Sequence, residues 1–335
     1  MPLPPDHPPI PPRRIGVLLV NLGTPDDASP RAVKRYLGEF LSDKRVIEIP
    51  SLLWQPILRG IILNTRPKKS AHAYGQVWTD QGSPLAAITA RQAAALKDAF
   101  GDGVRVDWAM RYGNPAIGDR LAAMKHAGCD RILIAPLYPQ YCAATTATAN
   151  DKAFATLANM RWQPAVRTLP PYHDEPAYID ALAASVRTSL ASLDFVPDAL
   201  IASFHGMPAR TLTLGDPYHC HCQKTARLLG SALGKDTIVT FQSRFGRARW
   251  LDPATDTTLA ALPAQGIKKV AIVAPGFSAD CLETLEELAI RGRETFLSAG
   301  GTDFGYLPCL NDSGVGTAML RTILSRELAG WTDAQ

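Results

Sequence analysis

Ile15-Gly16-Val17-Leu18-Leu19-Val20 forms the first regular apolar run of the chain, and Asn21-Leu22-Gly23-Thr24-Pro25 follows it at once. A run of uncharged, mostly branched aliphatic residues is typical of a strand that is covered by helices on both faces. The Gly and Pro that come next indicate a turn at the carboxyl end of this strand. This stretch therefore predicts a buried strand of a parallel sheet.

Six further apolar runs alternate with segments of helical period, which is the pattern of strands joined by crossover helices. The predicted strands lie at 15–20, 104–110, 131–137, 165–168, 198–204, 236–242 and 269–274. The predicted helices lie at 85–100, 115–127, 174–193, 253–264, 280–298 and 313–328. We therefore expect an α/β fold of two Rossmann-like, doubly wound domains with parallel sheets and a ligand cleft between them.

The length of 335 residues predicts about two domains, each able to bury a core of its own. We place the boundary between strand 165–168 and strand 198–204, which gives domains at 13–170 and 171–335. Residues 1–12 contain seven prolines and no apolar periodicity. They predict a disordered tail.

The composition, 46% hydrophobic and 20% charged, indicates a globular protein and excludes a fibrous one. The net charge of +4, from 35 basic and 31 acidic residues, is too small to indicate a nucleic-acid partner. It is compatible with anionic ligands or an anionic membrane surface. No apolar run has the length of a membrane span or the position of a signal peptide, so we expect a cytoplasmic protein.

Ligands of open parallel sheets bind outside the carboxyl ends of the strands, so the residues that follow each strand are the first candidates for a site. A dinucleotide site would require G-x-G-x-x-G after the first strand, and the sequence lacks this motif. The residues found there instead are aromatic, cationic, titratable or amide-bearing. They include Leu22, Arg111, Tyr112, Tyr138, His205, Gln242, Ser243 and Asp280.

His205 and Glu283 are the two candidates with catalytic chemistry. His205 ends an apolar strand, and a neutral imidazole there can accept a proton or bind a metal. The alternative is a histidine satisfied by a neighbouring backbone carbonyl. Glu283 lies in a predicted first helical turn, three residues after Asp280, where helix capping is the alternative role. Glu287 lies one turn further along the same helix face.

The segment 50–64 is strongly apolar but is interrupted by Pro56 and Gly60. It is too short to span a bilayer. One interpretation is a buried helical hairpin. The other is an apolar lip that covers an apolar ligand or makes peripheral contact with a membrane.

Ser203-Phe204-His205-Gly206-Met207-Pro208, followed by Gly215-Asp216-Pro217-Tyr218, resembles the signature of the ferrochelatases. The likeness continues through segments spread over the whole chain after the proline-rich tail. These are Gly82-Ser83-Pro84-Leu85, Arg111-Tyr112, Gln242-Ser243-Arg244, Trp250-Leu251 and Leu282-Glu283-Thr284-Leu285. The resemblance, of the bacterial type, implies a chelatase-like fold and insertion of Fe²⁺ into protoporphyrin IX. The products are haem and two protons, and this is the last step of haem biosynthesis.

The resemblance also implies roles for individual residues. His205 corresponds to the residue that removes pyrrole protons or handles the metal, and Glu283 to the carboxylate that faces it across the ring. Glu287 would be the next metal-handling acid along the helix. Cys281 stands where many relatives carry a histidine. The residues implied to bind the porphyrin are Leu22, Arg111, Tyr112, Tyr138, Gln242, Ser243 and Trp250, with the Arg111 guanidinium suited to a propionate.

His219-Cys220-His221-Cys222 is a cluster of residue types that bind metals. Some ferrochelatases carry a 2Fe-2S cluster, and Cys220 with Cys222 would supply two of its four ligands. The alternative is a segment of free thiols. Two other functions also stay open: a cobalt or nickel chelatase acting on another tetrapyrrole, and a non-catalytic carrier of haem or porphyrin.

Overall fold

The structure is a computed structural model that describes residues 4, 6, 7, 12–246 and 248–332. Most of the predicted proline-rich tail, 1–12, lies outside the described residues. Within these residues, eight strands form two four-stranded sheets, and all neighbouring strands are parallel. The strands are β1 Arg14–Thr24, β2 Val104–Gly113, β3 Cys129–Pro136, β4 Ala165–Thr168, β5 Ala199–His205, β6 Thr237–Gln242, β7 Lys269–Val273 and β8 Asp303–Leu307.

The two sheets have the same strand order, β2-β1-β3-β4 in the first half and β6-β5-β7-β8 in the second. In each sheet the chain leaves the first strand to one side and later continues on its other side. The carboxyl ends of β1 and β3, and those of β5 and β7, therefore border the point where the winding direction reverses. Open α/β sheets bind ligands at this point, and the predicted doubly wound fold is confirmed.

Helices connect the strands and cover the sheets. Their bounds are α1 Pro30–Phe40, α2 Ser51–Ile57, α3 Leu63–Val77, α4 Pro84–Phe100, α5 Ile117–His126, α6 Thr148–Ala158, α7 Pro176–Ala191, α8 Ala209–Thr213, α9 Tyr218–Leu233, α10 Thr255–Ala261, α11 Leu282–Thr284, α12 Arg293–Ser298 and α13 Gly314–Leu328. Wider π-helical turns occur at Leu58–Ile62, Ala143–Ala147 and Leu285–Gly292. None of the described helices combines the length and apolar character needed to cross a bilayer.

One apolar core joins the two halves. Its members come from both sheets and from helices α7 and α13, which pack on each other. Helix α13 also contacts α4 and β3 of the first half. It can do so because Leu320, Ile323 and Leu324 lie on one buried stripe of the helix. The division of the chain into 13–170 and 171–335 stays a prediction, since the last helix of the chain packs on both halves.

Gly23 permits the close approach of β1 and β2 near their carboxyl ends. Its φ is 128°, and an added Cβ would lie 2.0 Å from the backbone oxygen of Tyr112, its partner in the sheet. A side chain at this position would therefore strain the backbone and overlap the neighbouring strand.

Gly23→Ala is expected to lower the free energy of unfolding by about 3 kcal/mol or more, because backbone strain and overlap with a strand act together. Gly82→Ala is the matched control, since Gly82 has a φ of 93° but no atom within 4 Å of the added Cβ. The control should lose roughly 1 kcal/mol from backbone strain alone. Urea unfolding measures both values, and equal losses would contradict the proposed overlap.

Candidate active site

The imidazole of His205 stands at the carboxyl end of β5. Its Nδ1 lies 2.7 Å from the backbone oxygen of Gly206. A carbonyl oxygen only accepts, so in the neutral ring Nδ1 carries the hydrogen and Nε2 keeps a lone pair. Satisfaction by a backbone carbonyl, the alternative expected from the sequence, thus leaves the second nitrogen free to act as a base or a metal ligand.

The turn after His205 is fixed from two sides. The N–H of Gly206 donates to the backbone oxygen of Gln242 at 2.7 Å. A Cβ on Gly206 would lie 2.4 Å from that same oxygen, so a larger residue would separate the two strands here. The hydroxyl of Tyr218 donates to the backbone oxygen of His205 at 3.0 Å. The motif glycine and tyrosine therefore hold the imidazole in place.

Glu283 lies in the first turn of α11, after strand β7. Capping of this helix is done by its neighbours: the Cys281 N–H donates to the Thr284 hydroxyl at 3.0 Å. Asp280 accepts hydrogen bonds from the side chains of Thr284, Tyr306 and Asn311. The capping role considered for Asp280 and Glu283 is thus filled without the Glu283 carboxylate.

The Glu283 carboxylate interacts electrostatically with two tyrosines of the first half. The hydroxyls of Tyr36 on α1 and Tyr74 on α3 have raised pKa values, chiefly because they are buried and in part because Glu283 is charged. Leu282 packs against the buried cluster that contains Tyr74. Helix α11, which carries Glu283, therefore packs against the first half.

Gln242 and Ser243 follow β6 and bind the helix that carries Glu283. The Gln242 amide nitrogen donates to the backbone oxygen of Glu283 at 2.7 Å. Ser243 has a φ of 63°, and its N–H and hydroxyl both donate to the Glu287 carboxylate, at 2.7 and 2.5 Å. These bonds stabilise the unusual backbone conformation of Ser243. The Glu287 carboxylate is already paired, so metal binding by Glu287 stays a prediction.

A cavity of about 280 Å³ lies beside this helix. Its lining includes Ser243, Asp256, Glu287 and Arg291, so both charge signs are represented. The Arg291 guanidinium forms an ion pair with the neighbouring Glu286 at 2.8 Å. The cavity therefore gives polar access to the face of the π-helical turn Leu285–Gly292 that carries Glu287.

Arg111 and Tyr112 belong to a buried network. The Arg111 guanidinium donates to Asp43 and to the Thr148 hydroxyl, and it lies 4.3 Å above the Tyr112 ring. The Tyr112 hydroxyl also donates to Asp43, at 2.8 Å. Leu22, by contrast, is half-buried at the end of β1, and Tyr138 is half-buried after β3. Capture of a propionate by Arg111 stays a prediction, since the donors Nε and Nη2 are engaged.

The carboxylate of Asp43 is held in its charged form. Burial alone would raise its pKa, but hydrogen bonds from Thr148, Arg45 and Tyr112 and the charge of Arg111 outweigh this effect and lower it. Asp43 was not among the residues predicted from the sequence. It lies in a loop 68 residues before Arg111, and no local motif connects the two.

Trp250 packs against Phe245 in the loop after β6. It is buried, its indole N–H donates to the backbone oxygen of Phe245 at 3.0 Å, and the two rings lie 4.8 Å apart. The guanidinium of Arg66, on α3, lies 5.2 Å from the Phe245 ring. The loop after β6 therefore meets the first half through a cation–π contact.

The segment 50–64 forms α2 and the π-helical turn that follows, and much of it is exposed. Leu52 is 91%, Leu53 65% and Ile61 58% exposed, so these side chains are not core and a buried hairpin is excluded. Trp54 differs, since its indole N–H donates to the backbone oxygen of Leu41 at 2.6 Å. Trp54 and the buried Leu58 anchor the segment, whereas Leu52 and Leu53 face outward.

Cys220 and Cys222 lie in different surroundings on helix α9. Cys220 is exposed, whereas Cys222 is buried in an apolar cluster with Cys142. Side chains two residues apart point to nearly opposite sides of a helix. Burial also raises the pKa of the Cys222 thiol, which opposes the thiolate form that binds metals. The pair does not fit one iron–sulfur cluster. Among the described residues, no three His, Cys, Asp or Glu side chains are grouped to hold a metal ion.

Comparison with known proteins gives a family. A model described as Ferrochelatase matches residues 14–328. The ferrochelatase of Rhizobium meliloti (strain 1021) is 55% identical over 333 residues, which cover 97% of this chain and 98% of the relative. That of Agrobacterium fabrum (strain C58 / ATCC 33970) is 56% identical over 338 residues, which cover 98% of each.

Solved structures are similar in fold. SirB from Bacillus subtilis with Fe³⁺ aligns with a TM-score of 0.57 over 96% of this chain and 98% of that chain, at 12% identity. The sirohydrochlorin chelatase SirB from Bacillus subtilis subspecies spizizenii, in complex with cobalt, aligns with a TM-score of 0.55, also at 12% identity. At this identity the likeness shows the fold alone, and the predicted chelatase-like fold is confirmed.

Asp43→Asn is expected to lower the free energy of unfolding at pH 7 by about 2 kcal/mol, because it leaves the largely buried Arg111 guanidinium with only the exposed Glu39, 3.9 Å away, as a counter-charge. The folded-state pKa of Asp43 lies below the ordinary 3.8. The contribution of the carboxylate to stability is therefore complete at pH values well above 3.8, and it is lost as the pH falls through the folded-state pKa.

Urea unfolding as a function of pH tests this: the difference between the wild type and Asp43→Asn should be full at pH 7 and narrow below pH 3.8. Asp151→Asn is the control, because the ion pair of Asp151 with Arg45 is solvent-exposed. It should cost no more than about 0.5 kcal/mol. A difference that stays constant down to the acid transition would contradict the assignment.

Proposed function

Because the chain belongs to the ferrochelatase family, which inserts Fe²⁺ into protoporphyrin to form haem, we propose that His205 and Glu283 carry out this reaction. One observation supports the pair above all. His205 Nδ1 is engaged by Gly206, which leaves Nε2 with a lone pair at the reversal point of the second sheet. Glu283 follows β7, the strand that pairs with β5.

The reaction needs a base and a metal-handling group. Protoporphyrin holds two pyrrole protons in the ring plane, and Fe²⁺ can enter only as these leave. We assign proton removal to His205 Nε2, because the hydrogen bond at Nδ1 leaves a lone pair on Nε2 that can accept a proton. We assign metal handling to Glu283, since a carboxylate binds Fe²⁺ while still allowing release. Tyr36 and Tyr74 do not compete as bases, because their raised pKa values keep them protonated.

The remaining predicted residues divide into ring contacts and supports. We propose that Leu22, Tyr138 and Trp250 pack on the porphyrin, because apolar contacts remote from the centre can hold the ring bent for metal entry. We propose that Arg111 and Tyr112 support these ring contacts from beneath, since both donate hydrogen bonds to Asp43. The proposal does not include a 2Fe-2S cluster, since Cys220 and Cys222 do not converge.

We further propose that the rim of the cleft makes peripheral contact with the inner face of a membrane. The lip patch, defined as Leu52, Leu53, Ile57 and Ile61, is exposed. Leu212 and Leu214, at the end of α8 and just after it, are also exposed. Arg210 on α8 pairs with Glu48 at 3.0 Å, which brings α8 close to the start of the segment 50–64. The exposed cations near the patch, Arg59, Lys68 and Lys69, would attract anionic headgroups.

His205→Ala and Glu283→Gln are each expected to lower the turnover number for Fe²⁺ or Zn²⁺ insertion at least about a hundredfold, because each removes a group that acts on the reacting atoms. Insertion into protoporphyrin and into coproporphyrin by purified protein would be measured. The exposed His126→Ala and Glu294→Gln serve as controls and should keep wild-type turnover. Near-normal turnover in His205→Ala would rule out the proposed base.

A double variant, Leu52→Ser with Leu53→Ser, is expected to weaken binding to phosphatidylglycerol vesicles about a hundredfold or more, because each leucine loses roughly 1.5–3 kcal/mol of apolar burial. Thermal stability should not change, since both side chains are exposed and Trp54 is retained as the anchor. Val196→Ser, which alters an exposed residue elsewhere, is the control. Equal vesicle binding by all three proteins would refute the membrane contact.

A further inference from the structure

Gln242 contacts both elements that carry the proposed catalytic pair. It ends β6, where it is the register partner of His205. Its backbone oxygen accepts from the N–H of Gly206, and the oxygen of Gly206 in turn lies 2.7 Å from His205 Nδ1. Its side-chain nitrogen donates to the backbone oxygen of Glu283 at 2.7 Å. One residue thus connects the imidazole turn with the carboxylate helix.

The orientation of the Gln242 amide is determined by its partners. The Glu283 backbone oxygen can only accept, so Nε2 must face it and Oε1 must face the Ser203 hydroxyl, which donates at 2.8 Å. The Ser203 hydroxyl lies 2.9 Å from that of Thr255, which donates to Thr240. Buried hydroxyls of the second half therefore fix the amide.

Gln242 is only 3% exposed, so it is poorly placed to contact a porphyrin, the role that the resemblance implies for it. Its donor instead binds the helix just before the π-helical turn Leu285–Gly292. Wider turns of this kind occur in short stretches and need external support. Ser243, the next residue, supplies a second contact through the Glu287 carboxylate.

We propose that Gln242 is a positioning residue that sets the distance between the His205 imidazole and the Glu283 carboxylate. The inference rests on the proposed function of that pair. Gln242 acts through the backbone of Glu283 and through the turn after His205, so its loss should affect turnover and leave porphyrin affinity nearly unchanged. Displacement of a reacting group by about 1 Å can cost a hundredfold in rate.

Gln242→Met and Gln242→Glu test the donor and the acceptor of the Gln242 side-chain amide. Methionine removes both side-chain bonds at similar length, whereas glutamate keeps an acceptor for Ser203 but cannot donate to the Glu283 oxygen when ionised. Both variants are expected to lower kcat roughly ten- to a hundredfold with KM for porphyrin changed less than about threefold. Amide hydrogen exchange in 282–288 should accelerate in both.

Gln140→Met is the matched control. Gln140 is also buried, and its amide donates to the Thr225 hydroxyl on α9 rather than to the backbone of α11. The control should lose similar thermal stability, because it too leaves a buried partner unpaired, but it should keep wild-type kcat and wild-type exchange in 282–288. An equal fall of kcat in Gln140→Met and Gln242→Met would overturn the positioning role in favour of general destabilisation.

The double variant Gln242→Met with Glu283→Gln completes the test. If Gln242 acts through Glu283, the substitution should lower kcat much less in the Glu283→Gln background than in the wild type. Full additivity would overturn the inference alone. Wild-type turnover in Glu283→Gln would overturn the proposed catalytic pair, and the inference with it, so the two failures are distinguishable.

Discussion

The site depends on the parallel pairing of β5 with β6 on one edge and with β7 on the other. This pairing brings the carboxyl ends of three strands together and places His205 opposite Gln242. A slip of one residue would turn every side chain of β5 to the other face of the sheet, and the imidazole with them. Ile201 and Phe204 pack into different apolar clusters on opposite faces of β5, so such a slip would mismatch the packing on both faces.

The two halves share one strand order but differ in the chemistry at their strand ends. The first half presents Leu22 and Tyr138 and keeps its ionised groups, Arg111 and Asp43, paired beneath the surface. The second half presents an imidazole and a carboxylate. Under the proposed function, the strand ends of the first half would hold the apolar, planar ligand, and the strand ends of the second half would react with it.

The sequence predicted the strands with buried faces, because their apolar runs can be recognised without any knowledge of tertiary contacts. It missed β8, a short edge strand in which Asp303 and Gly305 interrupt the pattern. It made His205 and Glu283 candidates because strand ends are positions defined along the chain, and their catalytic roles stay predictions. It assigned Gln242 to the ligand, because no local pattern shows that this amide turns inward to a partner 41 residues away. Long-range polar pairs of this kind follow from packing and have no signature in a single sequence.

The structural and catalytic interpretations of His205 and Glu283 do not exclude each other, because each residue offers two separate polar groups. His205 is satisfied by a backbone carbonyl at Nδ1, and for that reason its Nε2 has a defined lone pair. Glu283 sits in a capped first turn, but Cys281 and Thr284 make the capping bonds, and its backbone oxygen is held by Gln242. In both residues a structural hydrogen bond holds one polar atom in place. This bond limits the directions in which the imidazole Nε2 of His205 and the carboxylate of Glu283 can point. A residue whose one polar atom makes a structural hydrogen bond therefore stays a catalytic candidate through its other polar atom.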